Sequence, residues 1–328
     1  MRRHGNTLMN TADGFTLVEL MIVLTVVIAL VAMSLGPASR LIRWQKEMQT
    51  QQILDSLSSA IGSIYTTNAW EIDTSAATEF KFRFNGKEYT LTPGSGSDAA
   101  NFDALQAIAA MANIASSAID KDAMHQELHI FVSSQLNDSN ANVSYHTIAI
   151  VSPGWDSVLE STFATDTGIL TLSGDDKGVL ISGWQYEVNN VQATMAKMGV
   201  VRDSYQNYFT SLYMLDTEKN IYVDRFANTD ATCASSPNWD STSGVGNSGC
   251  KGLPSTYATD IGLKSALGLS EDAVTTAWGR EMLIDNAAAN VARNPDVNGL
   301  SVPYTATINA EEPWGTGNLL TVTATGLY

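Results

Sequence analysis

The chain has 328 residues, with 18 lysines and arginines against 34 aspartates and glutamates, a formal net charge of −16. Such an acidic surface repels phosphate backbones and disfavours nucleic acid as a partner of the whole face. With 44% hydrophobic and 16% charged residues the composition is that of an ordinary folded protein, and the length predicts one large or two modest globular lobes.

A polar leader carrying Arg2 and Arg3 precedes Gly14-Phe15-Thr16-Leu17-Val18-Glu19-Leu20, and an uncharged apolar run follows over residues 21–35. A helix over 15–36 would rise roughly 33 Å, enough to cross a hydrocarbon core of about 30 Å. Glu19 is the misfit. A carboxylate inside a membrane helix costs several kcal/mol unless a counter-charge meets it, and no Lys or Arg within the run can supply one. Arg2 and Arg3 ahead of the run fit a cytoplasmic N-terminus with an exported body, and Arg40, Arg43 and Lys46 would then sit at the far headgroups. Two plainer readings compete: a secretory signal cut at the small-x-small site Ala32-Met33-Ser34, and a simple single-span anchor. Neither accounts for Glu19 or for the Gly14-Phe15 junction.

The stretch from Gly14 through Phe15, Glu19 and Leu24 resembles the N-terminus of type IV pilins and of the related pseudopilins of type II secretion. The resemblance covers the leader and the first helix. It implies that a prepilin peptidase cuts between Gly14 and Phe15 and that the new amino group of Phe15 is N-methylated. It also implies that Phe15 and Glu19 serve subunit assembly, with Glu19 meeting the amino terminus of a neighbouring subunit. The leader is longer than usual in the family, although a start at Met9 rather than Met1 would give a short one. The helix-weakening proline, Pro37 after Gly36, lies one position later than in the commoner class, and Gly36 and Pro37 are the expected point of helix flexibility.

The resemblance implies an α+β fold. A long N-terminal helix, transmembrane in its first half and amphipathic in its second, would pack on an antiparallel β-sheet with an enlarged or duplicated globular lobe. The expected divisions are a leader over 1–14, a transmembrane or filament-core helix over 15–36 and an amphipathic continuation over 37–70. Two α+β lobes over 71–186 and 187–328 follow. The implied partners are other pilin subunits, the prepilin peptidase, an inner-membrane assembly platform and the membrane before assembly. The implied location is a single-pass inner-membrane protein that passes into an extracellular pilus or periplasmic pseudopilus.

Further along, Leu41, Trp44, Met48, Ile53, Leu54, Leu57, Ile61 and Ile64 recur at helical spacing, a stripe suited to seating a globular domain. Phe80, Phe82 and Phe84 alternate with Lys81 and Arg83, and Asn85-Gly86 leads back to Tyr89 and Leu91, which predicts a β-hairpin. A small-residue helix should start at Asp98 or Asn101, and strands are expected over 128–132 and 146–151. Residues 168–173 and 178–186 read as a second hairpin turning at 174–177. Helical spacing returns from Val188 through Val191, Met195, Met198, Val201, Tyr205, Tyr208 and Leu212, opening the second lobe. A strand is expected over 220–226. Trp278-Gly279 and Trp314-Gly315 each lead into an expected strand, and Glu312-Pro313-Trp314-Gly315 is near a motif that pseudopilins often carry before a strand.

Cys233 and Cys250 are the only cysteines. In an exported body they are expected to form a disulfide, worth roughly 3 kcal/mol through loop entropy; a zinc pair or free thiols are the alternatives. Gly244-Val245-Gly246-Asn247-Ser248-Gly249 formally matches a dinucleotide fingerprint but lies inside that loop, with no strand before it or helix after it. His125, Glu127 and His129 lack the order of a zinc protease. No catalytic residue, metal ligand or cofactor is assigned, and the chain is not expected to be an enzyme. The resemblance admits calcium, which some pseudopilins bind near the final strands, with Asp216, Asp224, Asp230, Asp240, Asp285 and Asp296 in or near loops but no spacing that singles out a site. The leading expectation is a structural pilin-class subunit, minor, initiating or at an adhesive tip, given the large body. The alternatives are a major pilin with an enlarged lobe, a secretion pseudopilin, or a membrane-tethered periplasmic binding protein or hydrolase.

Overall fold

The computed structural model describes residues 17–112, 119–217, 219, 267–284, 305–315 and 319–328. Helix α1, Leu17–Asp73, enters the body at Thr50. From there Leu54, Leu57, Ile61, Ile64, Tyr65 and Ile72 bury one helical stripe in the first core. The single non-helical residue inside α1 is Asn68 (φ −127°, ψ 19°). Its side chain explains the kink: Oδ1 accepts the backbone N–H of Arg83 at 2.9 Å, so the last turns tilt onto the neighbouring hairpin.

That hairpin is β1 (Phe80–Phe84) and β2 (Lys87–Leu91), in register Phe80↔Leu91. Asn85 (φ 49°) and Gly86 (φ 78°) both take the positive φ that a type I′ turn requires. A central four-stranded antiparallel sheet follows, built from β3 (Gly94–Ser95), β4 (His129–Val132), β7 (Thr147–Ser152) and β10 (Lys177–Ser182) in the order β10-β7-β4-β3. β7 is buried at every residue, as its run of Thr, Ile, Ala and Val allows. Helix α2, Ala99–Ala112, buries Ala104, Leu105 and Ile108 against the same core. Two short ribbons pair β5 (Leu136–Asp138) with β6 (Val143–Tyr145), and β8 (Thr162–Ala164) with β9 (Ile169–Thr171).

Helix α3, Trp184–Leu215, joins the first core to a second. Its Met198, Val201, Tyr205 and Phe209 pack on a three-stranded sheet of β11 (Leu283–Ile284), β12 (Thr305–Glu311) and β13 (Leu319–Thr325), with Val274 of a short 3₁₀ turn, Asp272–Val274, alongside.

Several expectations are corrected here. The anticipated α+β architecture, a half-transmembrane helix laid on one antiparallel sheet with a duplicated lobe, is not what the chain adopts. Its strands form five separate antiparallel sheets of two to four strands among the described residues. No helix among them is long and apolar enough to cross a membrane. The expected inner-membrane single-pass location falls with it. The second hairpin is also re-paired: β10 joins β7 in register Lys177↔Ser152, while β9 pairs back with β8. A buried central strand has two edges to satisfy, and β10 supplies the second. α3 starts at Trp184, ahead of the expected Val188. β13 falls where Trp314-Gly315 leads into an expected strand.

Candidate assembly surface and buried polar centre

The first half of α1 stands clear of both cores. From Leu17 to Leu30 its large apolar side chains are 49–77% exposed, and they point in every direction around the axis: Leu17, Val18, Leu20, Met21, Ile22, Val23, Leu24, Val26, Val27, Ile28 and Leu30. A helix apolar on one stripe docks on one surface, whereas a helix apolar all round needs covering on all sides. Leu41, Ile42, Trp44 and Met48 extend the exposed apolar surface towards the body.

The root of this arm is fastened by charge and an indole. Arg43 lies 3.1 Å from Glu47 on its own helix and 3.2 Å from Asp175 of the loop before β10. Its guanidinium and the Lys46 ammonium each sit 5.6 Å from the centre of the Trp155 ring. The backbone N–H of Trp155 donates to Asp175 at 2.9 Å, tying indole and carboxylate into one clasp.

A second constellation lies where α1, the end of β6, α3 and the 276–280 turn converge. Tyr65 Oη donates to both carboxylate oxygens of Asp73 at 2.9 Å and accepts the backbone N–H of His146 at 3.0 Å. His146 Nδ1 lies 2.7 Å from Asp73 Oδ1. Glu187 Oε2 accepts the indole N–H of Trp278 at 2.7 Å. The backbone carbonyl of Asp73 accepts from Gln135 Nε2 at 2.8 Å. Tyr65, Asp73, His146 and Glu187 are fully buried.

Burial governs the protonation of this centre. Removal from water raises Asp73 to about 7, against hydrogen bonds from Glu187, Tyr65 and the His146 backbone that pull it down. Burial, and then the charge of Asp73, raise Glu187 to about 9. Burial also pulls His146 down to about 4. At neutral pH the imidazole is therefore neutral, with Nδ1–H donating to Asp73, and the acid pair Asp73/Glu187 keeps at least one proton. His146 Nε2 is buried with no hydrogen-bond partner among the described residues. An aspartate holding an imidazole has the geometry of a general base, but neither side chain is open to solvent, so no substrate reaches it. The centre is a lock that ties α1, α3 and the 276–280 turn together.

Glu19 lies in the first turn of α1 and is exposed. Gly36 and Pro37 fall within α1. Gly14, Phe15, Cys233 and Cys250 lie outside the described residues, as do Asp224, Asp230, Asp240, Asp285 and Asp296. Asp216 is the C-cap of α3. His125 occupies a positive-φ position (67°) and His129 opens β4, so the two sit on different local structures. Among the described residues no group of three or more His, Cys, Asp or Glu side chains could hold a metal ion. Trp314 lies edge-on to Trp278 at 5.7 Å. Sequence reasoning missed the lock: its members are scattered over Tyr65, Asp73, His146, Glu187 and Trp278. No spacing in the sequence links these five residues to one another. In comparisons with protein-family models, curated proteins and solved structures, the chain matches none.

Proposed function

We propose that the chain is a structural subunit of the pilin class that assembles with further copies through residues 17–30 of α1. The observation that carries this reading is the arm's exposed apolar surface on every side, joined to a folded body by the Arg43–Trp155–Asp175 clasp. One docking groove would cover one face of such a helix; a bundle of like helices covers all of them. Each large apolar side chain fully buried on assembly contributes about 1.5–3 kcal/mol, enough over several positions to offset the repulsion of acidic bodies. The Gly14-Phe15 junction and Glu19 support processing by a prepilin peptidase and axial pairing between subunits. The large body favours a minor, initiating or tip subunit over a major one.

The test compares two substitutions of exposed leucines. Leu24→Asp on the arm is expected to abolish sedimentable filaments, while Leu180→Asp on the body leaves them intact. Filaments at wild-type yield from the Leu24→Asp protein would overturn the reading. Mass spectrometry of filament-derived chains should find an N-terminus at methylated Phe15.

A further inference from the structure

An open cleft of about 500 Å³ lies between the end of α1, the β1–β2 hairpin and the turn at 276–280. Its wall carries Trp70, Glu71, Lys81, Arg83, Glu88 and Arg280. Lys81 and Arg83 reach it because alternate residues of β1 face outward while Phe80 and Phe82 fill the core. Arg280 is delivered by a tight turn: Thr276 N–H donates to the Arg280 carbonyl at 2.7 Å, Gly279 N–H to the Thr276 carbonyl at 3.0 Å, and Gly279 takes φ 74°. Within that turn Trp278 plugs inward onto Glu187 and Arg280 lies outward on the Trp70 ring, 4.4 Å from its centre. One face of the guanidinium is thus taken by the indole and its donor edge is held in place. Among the described residues no carboxylate lies within ion-pair distance of Arg280, and Arg83 reaches Glu88 only at 3.9 Å. Lys81 is engaged by Glu79 at 2.7 Å.

We propose that this cleft binds a sugar acid, a polyhydroxylated ligand bearing one carboxylate. Arg280, with Arg83 beside it, takes the carboxylate through charge-assisted hydrogen bonds, and its rigid fork favours a planar anion. Glu71 and Glu88 accept hydrogen bonds from hydroxyl groups, which a simple inorganic anion cannot offer them. The lining is polar and charged, so an apolar ligand would strand these groups without partners. Lys81, Arg83 and Arg280 stand in this lining beside Glu71 and Glu88, and of the three cations Arg280 has no carboxylate within ion-pair distance among the described residues. The site is on the body, away from the arm, so ligand binding and filament assembly fail separately.

The test is a titration of the full-length protein with glucuronate, glucose and inorganic phosphate, followed by NMR at the Trp70 indole and by calorimetry. Glucuronate is expected to saturate, with glucose and phosphate each at least about tenfold weaker, the loss of one charge-assisted contact or of the hydroxyl contacts. Arg280→Gln should weaken glucuronate about tenfold, whereas Arg202→Gln, at an exposed arginine of α3 paired with Asp203, should not. Should Arg280→Gln fail to fold, Arg83→Gln replaces it, with a smaller loss expected. Absence of saturable glucuronate binding, equal binding of glucose or phosphate, or indifference to the arginine substitution overturns the proposal.

Discussion

Glu187 is the residue whose state the interior decides most strongly. Its folded value of about 9 exceeds its ordinary 4.5, and that of Asp73, about 7, exceeds 3.8. An acid raised on folding contributes stability that is complete below its unfolded value and is lost as pH climbs through the folded one. His146, depressed from 6.5 to about 4, works oppositely: its contribution is complete above 6.5 and is lost as pH falls through 4. Above pH 6.5 the histidine no longer offsets the acids, so stability is predicted to fall steadily between pH 7 and 9, by up to about 1.4 kcal/mol per pH unit for each titrating acid. Glu187→Gln, which keeps the acceptor for Trp278 and cannot ionise, should flatten that decline in urea titrations; an unchanged slope would remove Glu187 as its source. Tyr65→Phe removes one of the donors to Asp73 and leaves the His146 backbone N–H without its acceptor. The expected loss is about 2 kcal/mol in the same measurement, from one lost hydrogen bond and one unsatisfied buried N–H.

At the scale of elements, α1 is two objects in one helix. Residues 54–72 are packed in the first core, whereas 17–30 touch neither core. Helical propensity alone leaves such an arm marginal, so hydrogen exchange in the unassembled protein should be fast over 17–30 and protected over 54–65. Equal protection of both halves would contradict this division. The helix stripe and the β1–β2 hairpin were legible in the sequence because local chemistry specifies them: a 3.6-residue period in one case, Asn85-Gly86 in the other. The pairing of β10 was not, because the turn at 174–177 is compatible with a local hairpin. Only the buried edge of β7, formed far away in sequence, selects the long-range partner. The lock was illegible for a like reason. Asp73 and Glu187 look like ordinary helix-surface acids until the fold buries both, and His146 carries no spacing signal relative to either. Of the assembly surface the apolar run was evident at once. Its exposure, and the clasp of Arg43 and Lys46 on Trp155, required the tertiary fold.

For the whole molecule, an acidic body and an apolar arm set opposing terms. Chains of net charge −16 repel one another over about 10 Å at 0.1 M salt, while apolar burial is insensitive to screening. Assembly should therefore speed up between 0.05 and 0.3 M salt, as followed by light scattering; slowing would mean that ion pairs, and not apolar contacts, drive it. In the proposed assembly copies meet along α1. This is tested most directly by placing a photo-crosslinking residue at Val23 of the arm, or at Val158 of the body, and irradiating assembled protein. The account predicts covalent dimers and higher species joined arm to arm from position 23, and little from position 158. Crosslinks from Val158 with none from Val23 would contradict it.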